Sequence, residues 1–371
     1  MEEKVARLLD WAAGTARGPV TVELNVTNLC NLRCLSCWQR SVQSFDSRRE
    51  LSGQRLLQIV DEAAALDVRE IRIPGSGEPF TRGPLVMELM RRIKELRLRG
   101  LIITNGTLLR DVWLDELVEM GWDNLTISID APRRSIHDRM RGTSGAFRKA
   151  RRAIRRLNRS KQRQRTELPL LRFNTVLTTL NYRELPALMR FAAEHDCHAV
   201  SVQPMTVFSD AGEAIRIDEE GRRRMQPFIA AAMEEAERLN IWTNVGEFRD
   251  GELVEKSNRM DEVIRERMED SDHASDANPF LSAPCYEPFY NLIILPEGET
   301  GPCSVFGGRG GDDATLRSLE EIWYGPVFTA VRKRLLKKIL AEFCARCCVP
   351  VFMENQRLRS ALAKAWAARV S

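Results

Sequence analysis

The sequence predicts an α/β fold: a partial (β/α)6 barrel of the TIM type, followed by a small C-terminal α+β unit. Three observations predict it. Short β-rich runs alternate with amphipathic helical stretches six times between residues 21 and 239. Near residue 244 the composition turns charged and rich in Ser and Asp. Beyond that point two short apolar runs and a helix accompany five of the nine cysteines. Six strand-then-helix units in succession imply parallel strands with right-handed crossovers, and six rather than eight leaves the barrel open along one side.

In chain order, an amphipathic N-terminal helix (1–20) precedes the barrel (21–243). Its strands are expected at Thr21–Thr27, Glu70–Ile73, Leu101–Thr104, Leu125–Ile129, Leu171–Leu177 and Ala199–Val202. Helices are expected near Ser52–Leu66, Leu85–Leu96, Asp111–Met120, Phe147–Leu157, Tyr182–His195 and Glu219–Leu239. A linker spans 244–283, with Asp270–Asn278 as its most loop-like part. The second unit (284–350) offers strands at Tyr290–Leu295 and Gly301–Val305 and a helix near Leu319–Leu340. A helix over 351–371 closes the chain.

In a barrel of parallel strands, function gathers where the strands end. The distinctive residues fall there. Cys30, Cys34 and Cys37 follow strand one, Gly75–Pro79 follows strand two, Asn105 strand three and Asp130 strand four.

With 371 residues and 43% hydrophobic content the chain can bury a large core. Lys and Arg number 56 against 52 Asp and Glu, a margin of +4 that points to neither nucleic acid nor an anionic membrane. The basic runs Arg151–Arg165 and Arg332–Lys338 read as solvated helix faces. Met1–Gly18 has no long apolar core, so neither a signal peptide nor a membrane span is expected, and the expected location is cytoplasmic. Nine cysteines in two groups, with Cys197 alone, suggest metal in a reducing compartment rather than disulfides.

Cys30-x3-Cys34-x2-Cys37 supplies three thiolates, enough for three corners of a cubane with the fourth iron left open. Structural zinc would need a fourth ligand, and none lies nearby in sequence. The segment Cys30-Asn-Leu-Arg-Cys34-Leu-Ser-Cys37-Trp38 resembles the radical SAM signature, C-x3-C-x2-C followed by an aromatic residue. That resemblance implies a 4Fe–4S cluster whose open iron chelates S-adenosylmethionine (SAM), reductive cleavage of SAM to a 5′-deoxyadenosyl radical, and Trp38 beside the adenine. It also implies an external one-electron reductant of the flavodoxin or ferredoxin type.

Gly75-Ser76-Gly77-Glu78-Pro79 resembles the family's GGEP loop, in which backbone groups and the Glu carboxylate meet the methionine ammonium. Ser128 and Arg141 resemble the Ser and Arg that contact the ribose and carboxylate of SAM; a guanidinium suits a planar carboxylate because it donates two parallel bonds. Asn174 on strand five and Gln203 at the end of strand six would face the same cavity, as contacts for SAM or substrate or as core hydrogen-bonding groups.

Cys285-x12-Gly298-x4-Cys303 and Cys344-x2-Cys347 offer four thiolates to one site, a spacing open to an iron–sulfur cluster or to structural zinc. The pattern resembles the SPASM and twitch extensions of radical SAM enzymes, and with only Cys348 left over it looks like a twitch. The resemblance implies one fully ligated auxiliary 4Fe–4S cluster, with Cys348 as a substitute for Cys347 or a spare thiol. The same Cys-x17-Cys and Cys-x2-Cys pairs mark the aminocyclitol dehydrogenases of butirosin biosynthesis.

The expected reaction is therefore oxidation of a small polar substrate, a sugar or aminocyclitol, with the auxiliary cluster taking the second electron. A radical epimerase would need a thiol hydrogen donor outside both clusters, for which Cys197 and Cys348 are the candidates. A ribosomal peptide maturase is disfavoured by the short segment before strand one. A non-catalytic iron–sulfur carrier would need neither the open-iron triad nor the glycine-rich loop.

Overall fold

The computed structural model describes residues 1–42, 45–251, 254, 278–303, 306, 311–341, 344 and 347–370. Most of the expected loop Asp270–Asn278 lies outside these residues, as do the last two residues of the expected strand Gly301–Val305.

The strands are β1 (Thr21–Leu24), β2 (Glu70–Ile73), β3 (Arg99–Thr104), β4 (Asn124–Ser128), β5 (Leu170–Leu177), β6 (Ala199–Pro204), β7 (Trp242–Thr243), β8 (Asn291–Ile294) and β9 (Thr300–Gly301). The helices are α1 (Glu2–Ala12), α2 (Gly53–Ala65), α3 (Gly83–Glu95), α4 (Asp111–Glu119), α5 (Arg134–Met140), α6 (Ala146–Gln164), α7 (Leu185–Ala193), α8 (Asp210–Glu213), α9 (Glu219–Arg238), α10 (Glu287–Tyr290), α11 (Leu319–Trp323), α12 (Pro326–Leu336) and α13 (Val349–Val370).

The strands form one sheet in the order β7-β6-β5-β4-β3-β2-β1-β8-β9, parallel throughout except for β9. This is the expected α/β partial barrel, with helices covering the outer face. Side chains alternate along each strand: Leu171, Phe173 and Leu177 of β5 are buried against the helices, while Arg172, Asn174 and Val176 turn to the concave face and are only half-buried. Helix starts follow local chemistry. Ser52 accepts a bond from Arg55 N at 3.1 Å ahead of α2, and Asp218 accepts one from Gly221 N at 2.7 Å ahead of α9.

Two features differ from the sequence expectation. The helix expected over Leu319–Leu340 divides into α11 and α12 because Gly325 and Pro326 intervene, glycine ending one helix and proline opening the next. More consequentially, the C-terminal unit does not stand apart. Its β8 pairs in parallel with β1, Val22 lying between Ile71 on one side and Leu292 on the other. Periodicity marks β8 as a strand but carries no record of its partner.

A second apolar cluster closes the unit onto the chain's first helix. Leu8, Phe280, Tyr286, Phe289, Leu335 and Leu358 are buried together, Trp11 meets Phe289 edge-on at 5.4 Å, and Lys4 pairs with Glu354 across α1 and α13. Among the described residues no helix is long and apolar enough to cross a membrane.

Because Leu292 is fully buried in the core that holds Val22, Leu292→Ala should lower global stability by about 2–5 kcal/mol. Denaturant unfolding should remain a single transition. Loss of a separate C-terminal transition, with the barrel unmoved, would show that the two units fold independently.

Candidate functional site

The loop that leaves β1 carries Cys30, Cys34 and Cys37 and is held on three sides. On one, Arg33 N and Leu35 N donate to the carbonyls of Arg141 (3.2 Å) and Met140 (2.8 Å) at the end of α5. On the second, Gly77 N and Glu78 N donate to the carbonyls of Thr27 (2.9 Å) and Leu29 (2.8 Å), and Gln39 Nε2 reaches the Ser76 carbonyl at 3.1 Å. On the third, Asn105 Nδ2 donates to Asn31 Oδ1 at 3.0 Å.

Two of these approaches require glycine. A Cβ at Gly77 would stand 2.3 Å from the Leu29 carbonyl oxygen, and one at Gly142 would stand 2.1 Å from that of Arg33. Gly142 also has φ of +61° and Gly75 φ of +79°, the left-handed region that glycine enters without strain. Ser76 Oγ donates to Asn25 Oδ1 at 3.0 Å, and Pro79 opens a short 3-10 turn with the ring buried.

Glu78 and Arg141, the residues expected to meet SAM, are also held by the protein itself. Glu78 is 2% exposed, and its carboxylate accepts from Thr104 Oγ1 (2.6 Å), Asn105 N (2.7 Å) and Phe80 N (3.2 Å). Burial pushes its carboxyl above the ordinary value, opposed by these three donors. Arg141 grips Asp130 through two nitrogens at 2.7 and 2.9 Å, and its remaining terminal nitrogen lies 3.8 Å from Cys34 Sγ. Burial works against its charge, but Asp130 and Cys34 outweigh it and raise its pKa. Asp130 N in turn donates to His137 Nδ1 at 3.2 Å. Burial takes His137 down to about 4, so the ring is neutral and serves as an acceptor.

The three thiols feel one another. Burial pushes Cys30 up to about 11, with Cys34, Glu78 and Cys37 adding to the rise, and burial followed by Cys34 raises Cys37. Trp38 follows directly and meets Phe45 edge-on at 5.5 Å. On the concave face Ser128 of β4, Asn174 of β5 and Ser201 of β6 lie in lateral register, and Gln203 stands opposite Val176 on the same face. Asn174 Oδ1 is buried with no hydrogen-bond partner, an acceptor left facing this polar row. Ser201 was not singled out by sequence; only the register exposes it. The Asp130–Arg141 pair was likewise hidden, since Asp130 lies in the loop after β4 and Arg141 just past α5, in no shared helix or strand.

The second thiol group gathers at the other rim. Cys285 precedes α10 and the start of β8. Cys303 follows β9, which runs back antiparallel with Gly301 opposite Ile293, and Gly298 turns the hairpin with φ of +97°. Burial raises Cys285, with Glu287, Cys303 and Cys347 adding to it; burial also raises Cys347, with Cys348, Cys303 and Cys344 adding. Cys348 therefore belongs with this group.

Cys197 does not belong with either. It sits in the core before β6, its Sγ 3.2 Å from the Ala199 carbonyl and burial pushing the thiol up to about 12. That places it in the core at the strand end opposite the first triad.

Both groups fit iron–sulfur clusters better than a single ion. Their thiols are near enough to raise one another's pKa, yet among the described residues no three His, Cys, Asp or Glu side chains converge tightly enough to hold one metal ion. Cysteines at separate corners of a cubane stand further apart than the ligands of a lone zinc.

Residues 24–192 match the family model of the radical SAM superfamily, and residues 285–348 match that of SPASM, an iron–sulfur cluster-binding domain. Similar curated proteins include an AdoMet-dependent heme synthase of Methanosarcina barkeri, 31% identical over 47% of this chain and 48% of its own length. Another is a PqqA peptide cyclase of Ruegeria pomeroyi, 34% identical over 36% of this chain and 35% of its own. The chain thus spans half or less of these relatives. Among solved structures, Streptococcus suis SuiB superposes with a TM-score of 0.64 at 18% identity, covering 90% of this chain and 71% of SuiB. The chain therefore carries a radical SAM domain and a SPASM domain. SAM, the 4Fe–4S cluster that binds it and an auxiliary 4Fe–4S cluster are the cofactors those domains imply.

Two consequences are measurable. His137 has a pKa depressed from about 6.5 to about 4, so its stabilisation is complete above pH 6.5 and disappears as pH falls toward 4. Unfolding free energies from urea titrations at pH 7 and pH 5 should differ by about 2 kcal/mol more in the natural chain than in His137→Gln. Gly142→Ala should displace the Cys30–Cys37 loop from α5 and sharply reduce the iron recovered on reconstitution, whereas Gly121→Ala, whose Cβ meets nothing within 4 Å, should not.

Proposed function

We propose that this radical SAM protein is an oxidoreductase acting on a small polar substrate of the sugar or aminocyclitol kind. Cys30, Cys34 and Cys37 would hold the SAM-binding cluster, and Cys285, Cys303, Cys344 and Cys347 the auxiliary one. When bound, these cofactors supply a 5′-deoxyadenosyl radical that takes a hydrogen atom and a second cluster able to accept the remaining electron.

The observation that carries this reading is the placement of the two thiol groups at opposite rims of one strand pair. β1 and β8 run parallel for four residues, about 13 Å. A substrate on the concave face would lie between the group that generates a radical and the group that accepts an electron. Oxidation uses both; a redox-neutral epimerisation uses only the first and needs a thiol donor, for which Cys197 lies buried in the core and Cys348 lies beside Cys347 of the auxiliary group.

The chain's own residues supply positioning. Arg141 places positive charge beside Cys34 while Asp130 fixes its orientation, a bidentate arrangement that lysine cannot reproduce. Glu78 ties the glycine-rich loop to the end of β3 and so sets its backbone groups beside the cysteine loop. Asn174 Oδ1, with Ser128, Ser201 and Gln203 beside it, offers hydrogen-bonding groups to the hydroxyls or amines of SAM and substrate. Trp38 would pack against the adenine.

A peptide substrate is the second reading, favoured by the peptide-cyclising relatives. The two differ in product, not in how SAM is cleaved.

Anaerobic reconstitution should load about eight iron atoms per chain, and SAM with a strong reductant should yield 5′-deoxyadenosine. Cys30→Ala should abolish that product. Cys285→Ala should keep SAM cleavage but lose substrate oxidation. With a sugar or aminocyclitol substrate in deuterated water a carbonyl product is expected; deuterium at carbon in an inverted alcohol would refute the dehydrogenase reading, and turnover of peptide alone would replace the substrate class.

A further inference from the structure

The arginine-rich helix α6 is more than a solvated face. Its cations divide into two stripes. Arg152, Arg156 and Arg163 turn toward α4 and pair with Asp111 and Asp115. Arg148, Arg151, Arg155 and Arg159 recur at spacings of three and four on the neighbouring stripe. None of these four has a carboxylate partner among the described residues.

This second stripe lines a groove of about 940 Å³ bounded by the start of α5 and by the turn between α7 and β6. We propose that the groove is a docking site for an acidic peptide segment of a partner chain, held through Arg148, Arg151, Arg155 and Arg159.

Length, charge and unsatisfied polarity favour that occupant. Eleven residues of helix separate Arg148 from Arg159, about 17 Å, which an extended peptide of about five residues would cover. A single small anion could engage only one or two of the guanidinium groups. Two polar atoms in the groove lack protein partners: Arg151 Nε, a donor, and Asn158 Oδ1, an acceptor, whose amide is oriented because Nδ2 donates to the His195 carbonyl at 2.6 Å. An amide-bearing chain offers a partner to each, whereas a phosphate chain offers acceptors alone. The positive field is felt locally, since burial and then Arg151 and Arg155 hold the His195 pKa below its ordinary value.

The site is outside the barrel and needs neither cluster nor SAM, so its test is separate from that of the proposed reaction. The probe is a fluorescein-labelled peptide of alternating Glu and Ala, with its Gln counterpart and a thymidine heptanucleotide as competitors, read by fluorescence anisotropy on the reconstituted full chain. Binding of the Glu peptide is expected to weaken about tenfold in Arg151→Gln/Arg155→Gln and to fall with added salt. The Gln peptide and the oligonucleotide should compete at least about tenfold less well. Arg223→Gln/Arg224→Gln on α9 removes the same charge elsewhere and should leave binding unchanged. Arg148→Gln/Arg159→Gln, at exposed positions, repeats the test should the first pair destabilise the fold. No binding, equal loss in the α9 variant, or tighter binding of the oligonucleotide would overturn the proposal.

Discussion

The architecture depends on β1 being paired on both sides. A strand of four residues accepts β2 on one flank and β8 on the other, so its register fixes two thiol groups far apart in sequence. Its C-terminal end launches the loop of Cys30, Cys34 and Cys37. Its other end lies beside the entry to β8, where Cys285 stands. Slipping the β1–β8 register by one residue would turn Leu292 and Ile294 out of the core, and the fully buried core residues Val22 and Leu292 oppose that slip. The iron chemistry of both rims thus rests on ordinary apolar burial in the middle.

At the upper rim, the protein uses its charged residues on itself. Asp130 and Arg141 form a buried pair whose disruption would strand one charge, a loss typically of about 3–5 kcal/mol. Such a pair contributes little net stability compared with an apolar substitute; what it adds is orientation, because the fork of Arg141 can grip Asp130 and face Cys34 only in one pose. Glu78 acts similarly through Thr104 and Asn105. Both residues work through the loops they hold, and close backbone contacts at Gly77 and Gly142 make those loops intolerant of side chains.

Much of the barrel was legible in sequence because its signals are local. Strand and helix periods, the Ser52 and Asp218 caps and cysteine spacings of three and two residues all lie within short windows. The six expected strands occur where the pattern places them, with no end moved by more than three residues. What was hidden is whatever depends on partner choice. The pairing of β8 with β1, the grip of Arg141 on Asp130, the alignment of Ser201 with Asn174 and the division of α6 into paired and unpaired stripes all need three-dimensional neighbours. Motif reading also names a carboxylate or guanidinium by its type, without seeing the protein donors and acceptors it contacts.

The two ends of the barrel are chemically unequal, and this asymmetry bears on which reactions the scaffold suits. At the upper rim the cysteine triad is accompanied by a cation, Arg141, within reach of Cys34. At the lower rim the buried neighbour of Cys285 is Glu287, whose carboxyl burial pushes up to about 7 while Tyr290 donates to it. Positive charge near a cluster favours its reduced form and negative charge disfavours it. Under the proposed oxidation both clusters would take up an electron, so the charge of Arg141 favours uptake at the upper rim, whereas Glu287, when ionised, opposes it at the lower. The intervening concave face presents the row of Ser128, Asn174 and Ser201, groups that offer hydrogen bonds between the two rims.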